Sequence, residues 1–365
     1  MKIDTEIKYD FCDVLIRPKR SQSPSRKSVD LSRSYTLLNS QREWQGIPIF
    51  ASNMDVVGTF AMAEMLAKYG LSTCFHKYYE IDKLINFYSN GPVDRVFFTI
   101  GIKDEDFQKL DAFVKLIQLP DRKLNICIDV ANGYTEFFVQ KCKEVREKFP
   151  NVFILAGNVC TPEMVQELLL VGGVDVVKVG IGPGSVCTTR LATGVGYPQL
   201  SAIMECADAA HGLNGHICAD GGCTTGGDVA KAFGAGADFV MLGGMLSGVD
   251  ECEGDWEYGC DLKEGYKVQA NEDGKIKWVK KALKFYGMSS KEAMDKYAGG
   301  VAEYRAAEGK MVSVPYKGPV KDVILEILGG LRSACTYVGT EKLKDFSKCC
   351  TFVRVNRTHN TVFGG

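Results

Sequence analysis

The chain has 365 residues, with 44 basic and 45 acidic side chains, a net charge of −1 and 45% hydrophobic residues. That length allows one large domain or two ordinary ones, and that apolar content excludes a disordered chain. The charge balance argues against a nucleic-acid-binding surface, and no apolar run is long enough to span a bilayer.

The first residues, Met1–Asp13, are charged and mixed, without the pattern of a signal peptide, so a cytoplasmic protein is expected. The first short β-rich apolar run is Ile47–Ala51. Asn53 and Asp55 follow it, and then an amphipathic stretch, Phe60–Tyr69. Leu71–Phe75 ends at His76 and Lys77. Val96–Gly101 is followed by the helical pattern Asp106–Leu119, and Asn125–Val130 by Tyr134–Phe149. Val152–Ala156 ends at Gly157 and Asn158, ahead of Pro162–Val171. Asp175–Gly180 leads into a connection of about 35 residues before His216, which includes Gln199–His211. His216–Asp220 ends in Gly221-Gly222 and precedes Gly227–Gly236. The eighth run, Asp238–Gly243, ends in Gly243-Gly244. The stretch 246–285 beyond it is highly charged, with eight acidic and seven basic residues between Glu251 and Lys284. The fourteen cysteines are scattered without Cys-x-x-Cys spacing, which fits free thiols in a reducing compartment rather than a zinc or thioredoxin motif. Cys349 and Cys350 are adjacent, a poor geometry for bonding to each other.

Most of the eight runs begin 22 to 29 residues after the one before, the length of a βα unit. Several are apolar throughout, as parallel strands covered on both faces should be. The pattern predicts an α/β chain folded as a single (β/α)8 TIM barrel over residues 1–365, with 246–285 as an extended lid after the eighth strand. A doubly wound sheet is the rival, but Gly180-x-Gly182-x-Gly184 lacks the third glycine of a dinucleotide fingerprint, and no Walker loop is present. A barrel places its site at the C-terminal ends of the strands, and here nearly every such end is polar or glycine. The two Gly-Gly pairs fall where barrels commonly bind phosphate through backbone N–H groups. Long excursions at that face commonly serve as lids, and a solvated surface hairpin is the alternative for 246–285.

The most informative segment runs from Gly180 to Arg190 and reads Gly-Ile-Gly-Pro-Gly-Ser-Val-Cys-Thr-Thr-Arg. Its glycines bare the backbone N–H groups and Arg190 adds a fixed positive charge, both of which favour a thiolate. Cys187 is therefore a candidate nucleophile, the alternative being an ordinary loop cysteine. Further on, Tyr304-Arg-Ala-Ala-Glu-Gly309 offers Glu308, a carboxylate that a solvated surface charge would equally explain.

Gly182–Arg190 resembles the cysteine loop of the IMP dehydrogenase/GMP reductase family. Three further segments resemble its reductase branch: Thr193–Ala202, Phe285–Ser290, and Ala298–Ala306 running on to Glu308-Gly-Lys310. The resemblance extends from about Tyr9 to Phe363 and includes Asp10–Arg20, Ser52–Gly58 and Gly329–Gly339. It leaves no room for the regulatory domain pair that IMP dehydrogenases usually insert, and it departs from the reductases in the longer stretch 251–284. An IMP dehydrogenase, a catalytically silent nucleotide sensor and a flavin barrel are the weighed alternatives. No flap with the Arg-Tyr motif of the dehydrogenase follows Cys187, and binding alone would not require Cys187, Thr189 and Glu308 together.

The resemblance implies NADPH-dependent reductive deamination of GMP to IMP, in purine salvage, through a covalent adduct on Cys187, with Thr189 and Glu308 protonating the departing amine. It implies that Asp220 and Gly221 hold the ribose, and that Ser185, Gly222, Gly243, Gly244 and Tyr286 hold the phosphate. Gly287, Met288, Ser289, Arg305, Ala306, Ala307 and Gly309 would surround the purine. NADPH would meet Lys77, Asp129, Val130, Ala131, Gly180, Ile181, Tyr304, Arg305, and Ser333, Ala334, Cys335 and Thr336. Ser25 and Arg26 would reach the cofactor of a neighbouring subunit in a homotetramer. A monovalent cation, K+, would be held through carbonyls of Gly182, Gly184 and Cys187, with Arg190 nearby.

Overall fold

Eight parallel strands close on themselves in the computed structural model, which describes residues 3–21, 25–117, 123–260, 262–263, 267–268 and 278–355. The strands are β1 (Ile49–Ala51), β2 (Ser72–Cys74), β3 (Val96–Ile100), β4 (Asn125–Asp129), β5 (Phe153–Val159), β6 (Val176–Val179), β7 (His216–Asp220) and β8 (Phe239–Leu242). Each pairs with its sequence neighbour, and β8 returns to β1. The chain is thus a (β/α)8 barrel, and every apolar run read from the sequence lies on one of its strands.

The helices between them are α1 (Phe60–Ala67), α2 (Ile81–Asn90), α3 (Asp104–Ile117), α4 (Glu136–Lys148), α5 (Pro162–Leu170), α6 (Gln199–His211) and α7 (Gly226–Gly234). The last, α8 (Val320–Val338), follows the long excursion after β8. The end of the expected helix Asp106–Leu119 and the C-terminal part of the family resemblance, 356–363, lie outside the described residues. Local signals set several helix starts. Thr225 and Asp228 form a reciprocal capping box on α7, worth about 1 kcal/mol.

Side chains that alternate inwards fill the barrel in layers. Phe50, Phe97, Phe153 and Phe239 occupy its lower end, with neighbouring ring centroids 4.9–6.3 Å apart. A hairpin, Arg33–Thr36 with Glu43–Gly46, closes that end: Trp44 packs on Phe239 at 4.8 Å, and the Tyr35 hydroxyl donates to the Asp238 carbonyl at 2.9 Å. Truncating one of these phenylalanines to alanine would cost about 3–5 kcal/mol. The charged interior groups Lys178, Asp129 and Asp220 stand above this plug, near the C-terminal rim.

The stretch 246–285 contributes strands β9 (Trp256–Cys260) and β10 (Trp278–Tyr286), which pair antiparallel. β11 (Met311–Pro315) adds to the far side of β10, making a three-stranded sheet. Much of the segment between β9 and β10 lies outside the described residues. Among the described residues no helix is long and apolar enough to cross a membrane. All fourteen cysteines are free thiols.

Candidate active site

β6 runs directly into the cysteine loop. At Gly180 the backbone passes so close to β7 that a Cβ would lie 2.1 Å from the Asp220 carbonyl oxygen, and φ is +152°, so only glycine fits. The loop then turns into a short helix, Thr189–Thr193. The Cys187 N–H donates to the Gly184 carbonyl at 3.1 Å. The segment carrying Glu308 runs antiparallel beside the loop: Thr188 N–H donates to the Glu308 carbonyl and Lys310 N–H to the Val186 carbonyl, both at 2.9 Å. This pairing brings three side chains into series. The Cys187 thiol donates to Thr189 Oγ1 at 3.2 Å, and that hydroxyl donates to Glu308 Oε2 at 2.8 Å.

The series borders a cavity of about 260 Å³ at the C-terminal face of the barrel. Of the residues expected to hold the nucleotide, Ser185, Asp220, Gly221, Gly222, Gly243, Gly244, Gly287, Met288 and Ser289 line it. Of those expected to meet the cofactor, Asp129, Val130, Ala131, Gly180 and Ile181 do so, and the loop glycines Gly182 and Gly184 join them.

Other expected residues lie elsewhere. The Tyr286 hydroxyl points away from the cavity and donates to Asp55 Oδ2 at 2.7 Å. Arg305 and Ala306 are exposed, Ala307 and Gly309 are half-buried beside Glu308, and Tyr304 is 89% exposed. Lys77 stands outside the cavity, 3.7 Å from Asp106. Ser333, Ala334, Cys335 and Thr336 ride on α8 near its C-terminal end, and the turn Arg26–Ser28, capped by Ser25, packs against the same helix. These two groups therefore share one surface, separate from the Cys187 cavity of their own chain.

Arg190 does not face the cavity either. Its stem fills a slot against Gly182 and Gly196, Nη1 pairs with Asp10 at 3.1 Å, and Nη2 donates to the Tyr197 carbonyl. Asp10 also accepts the Gln199 N–H at 2.6 Å. The N-terminal segment thus straps the cysteine loop to the start of α6.

Three features carry no role in the sequence reading. Lys178 is 1% exposed in the middle of β6, in contact with Asp129 and 3.3 Å from Asp220. Burial alone would drive its ammonium towards neutrality, but attraction to Asp129 and then Asp220 outweighs this and raises its pKa well above the lysine range. Burial would likewise lift Asp129, yet Lys178 holds it below the usual carboxylate range. Its only sequence signal is a lysine inside an apolar run. Asn158 donates to Asp220 at 2.9 Å, and it stands in the sequence only as a polar strand end. Asp55, buried beyond β1, accepts from Tyr286, Tyr297 and Lys296 at 2.7, 2.8 and 3.1 Å. Its partners lie more than 200 residues away, so no local pattern points to them.

Fold and site together define a (β/α)8-barrel protein whose thiol, hydroxyl and carboxylate meet at the catalytic face. Residues 94–361 match the IMP dehydrogenase / GMP reductase domain. The chain is 57% identical to a GMP reductase of Phytophthora infestans, over all of this chain and 95% of that protein. It is 55% identical to human GMP reductase 1 over 99% of both chains. It is 52% identical to a GMP reductase of Aeromonas hydrophila over all of this chain and 99% of that protein. The chain belongs to the IMP dehydrogenase/GMP reductase family.

Proposed function

We propose that the protein is an NADPH-dependent GMP reductase, converting GMP to IMP and ammonia. The observation that carries the reading is the hydrogen-bonded series Cys187–Thr189–Glu308 beside the cavity. Similarity along the whole chain to proteins of that name supports it.

Carbon 2 of guanine is electrophilic but bears an amine, a poor leaving group until protonated. The thiol proton of Cys187 passes through the Thr189 hydroxyl to Glu308, and the sulfur bonds to carbon 2. The same series returns the proton to the amine, the carbon–nitrogen bond breaks, and ammonia leaves. Bound NADPH supplies the hydride that replaces sulfur at carbon 2. Cys187 departs as thiolate and regains a proton from solvent. Asp220 holds the ribose hydroxyls, the backbone at Ser185, Gly222, Gly243 and Gly244 takes the phosphate, and Met288 and Ser289 wall the purine.

For the cofactor, Asp129–Ala131, Gly180 and Ile181 sit on the cavity wall and fit the nicotinamide end. Ser25, Arg26 and Ser333–Thr336 stand on a separate surface, so they fit the remainder only across a subunit boundary. This supports a homotetramer, and sedimentation showing an active monomer would exclude it. For K+, the Gly184 carbonyl keeps a lone pair beyond its bond to Cys187, and the Arg190 charge is already paired with Asp10, so a nearby cation is tolerated. The test of the activity is incubation with GMP and NADPH, with NADPH absorbance and ammonia followed together. Both should change in equal amounts. Formation of NADH from IMP and NAD, with no turnover of GMP, would instead make it a dehydrogenase.

A further inference from the structure

We propose that Lys178 is a positioning residue that couples the two ligand-holding carboxylates of the site, Asp129 and Asp220. The inference rests on the GMP reductase reading for the identity of the ligands, but not for the coupling itself. β6 alternates: Val176 belongs to the inner barrel cluster, while Val177 and Val179 belong to the outer one, so Lys178 points inwards. It is paired in register with Gly157 of β5 and Cys218 of β7. A Cβ on Gly157 would come within 2.5 Å of the Lys178 Cβ, so the small neighbour makes room for the lysine.

The ammonium reaches upward between two carboxylates from β4 and β7. It touches Asp129, lies 3.3 Å from Asp220, and is sealed from solvent by the barrel wall. Asp220 has a second anchor in Asn158 and Asp129 has one in Asn53, while Lys178 is the cation in contact with both carboxylates. Both carboxylates line the same cavity. A single buried cation shared by both cannot move towards one without weakening its hold on the other. Loading of the cofactor side at Asp129 is therefore felt at the ribose side at Asp220. Without Lys178, two half-buried carboxylates would share the rim with no buried countercharge between them, which is unfavourable.

The test is a double-mutant cycle read in GMP binding by titration calorimetry, alongside KM and kcat for GMP and NADPH. Asp129→Asn should change GMP affinity by about threefold or more in the Lys178 protein, and by much less in Lys178→Met. Lys178→Met should raise both KM values by about tenfold or more, and Lys178→Arg should restore part of that loss. An Asp129→Asn effect on GMP binding that is the same with and without Lys178 would overturn the coupling. So would a Lys178→Met protein with lowered melting temperature but unchanged KM values, since that is a structural role alone. If Lys178→Met fails to fold, the first arm still decides, because unchanged GMP affinity in Asp129→Asn overturns the proposal by itself. A parent protein that binds GMP but consumes no NADPH would sink the activity reading and leave the binding cycle intact.

Discussion

Thr189 donates its hydroxyl to Glu308 at 2.8 Å although 119 residues separate them, and the same oxygen accepts the thiol of Cys187. One hydroxyl thus stands between a thiol and a carboxyl group. A threonine is too weak an acid to act alone, and Glu308 does not bond the thiol directly, so each depends on the other.

If the three act as a unit, their mutations should not add. Thr189→Ala combined with Glu308→Gln is expected to cost little more than the worse single variant in single-turnover ammonia release. Hydride exchange between IMP and NADP needs no amine proton, so it should survive Glu308→Gln better than the full reaction. Equal losses in both would show that Glu308 merely supports the loop.

Cys187→Ala should lower turnover of GMP by about three orders of magnitude or more. The phosphate and ribose contacts come from other residues, so calorimetry should find GMP affinity within a few-fold of the parent. A variant with a tenth of parental turnover would be incompatible with a covalent adduct on this residue.

Asp55 holds the segment after β10 to the rim of β1. Asp55→Ala would leave the hydroxyls of Tyr286 and Tyr297 without their acceptor, at an expected cost of about 3 kcal/mol in denaturant unfolding. Lys296 adds little to this, being half exposed. Tyr297→Phe keeps the stack on Tyr78 at 3.5 Å and should cost only about 1 kcal/mol. Amide exchange in the short helix Lys291–Tyr297 should accelerate in Asp55→Ala. A cost below that of Tyr297→Phe would refute the anchoring role.

His76 is buried, and burial pushes its pKa down to about 4. Its Nδ1 accepts the Tyr78 N–H at 3.2 Å, a bond that protonation would break. The unfolded chain binds this proton below about pH 6.5 while the folded chain does not, so stability should fall with pH between about 6.5 and 4. The full loss is of order 3 kcal/mol. His211 works with the opposite sign, because Asp238 raises its pKa and its contribution fades as pH rises. The difference between parent and His76→Gln isolates His76. An identical pH dependence of their unfolding midpoints would rule this out.

The barrel was legible because strands buried on both faces must be apolar runs, and α6 was read with the bounds it has in the structure. α8 escaped notice although it spans 19 residues. Gly329-Gly330 breaks its pattern, and the reason is tertiary: the Gly226 Cα lies 4.0 Å from where a Cβ on Gly330 would be, so α7 and α8 cross almost backbone to backbone. Cys187 was legible from its loop, and Glu308 from the family resemblance. Lys178 and Asp55 were not, because the strand around Lys178 looks apolar and the partners of Asp55 are distant in the chain.

Tyr286 and Met311 face each other in register at the end of the β10–β11 ladder. The chain leaving that rung becomes Gly287–Ser289 on the cavity wall, and the chain arriving at it has just passed Glu308. Wall and carboxylate therefore hang from a single rung of the sheet. A substitution that loosens this rung would displace the cavity wall and the Glu308 carboxylate together.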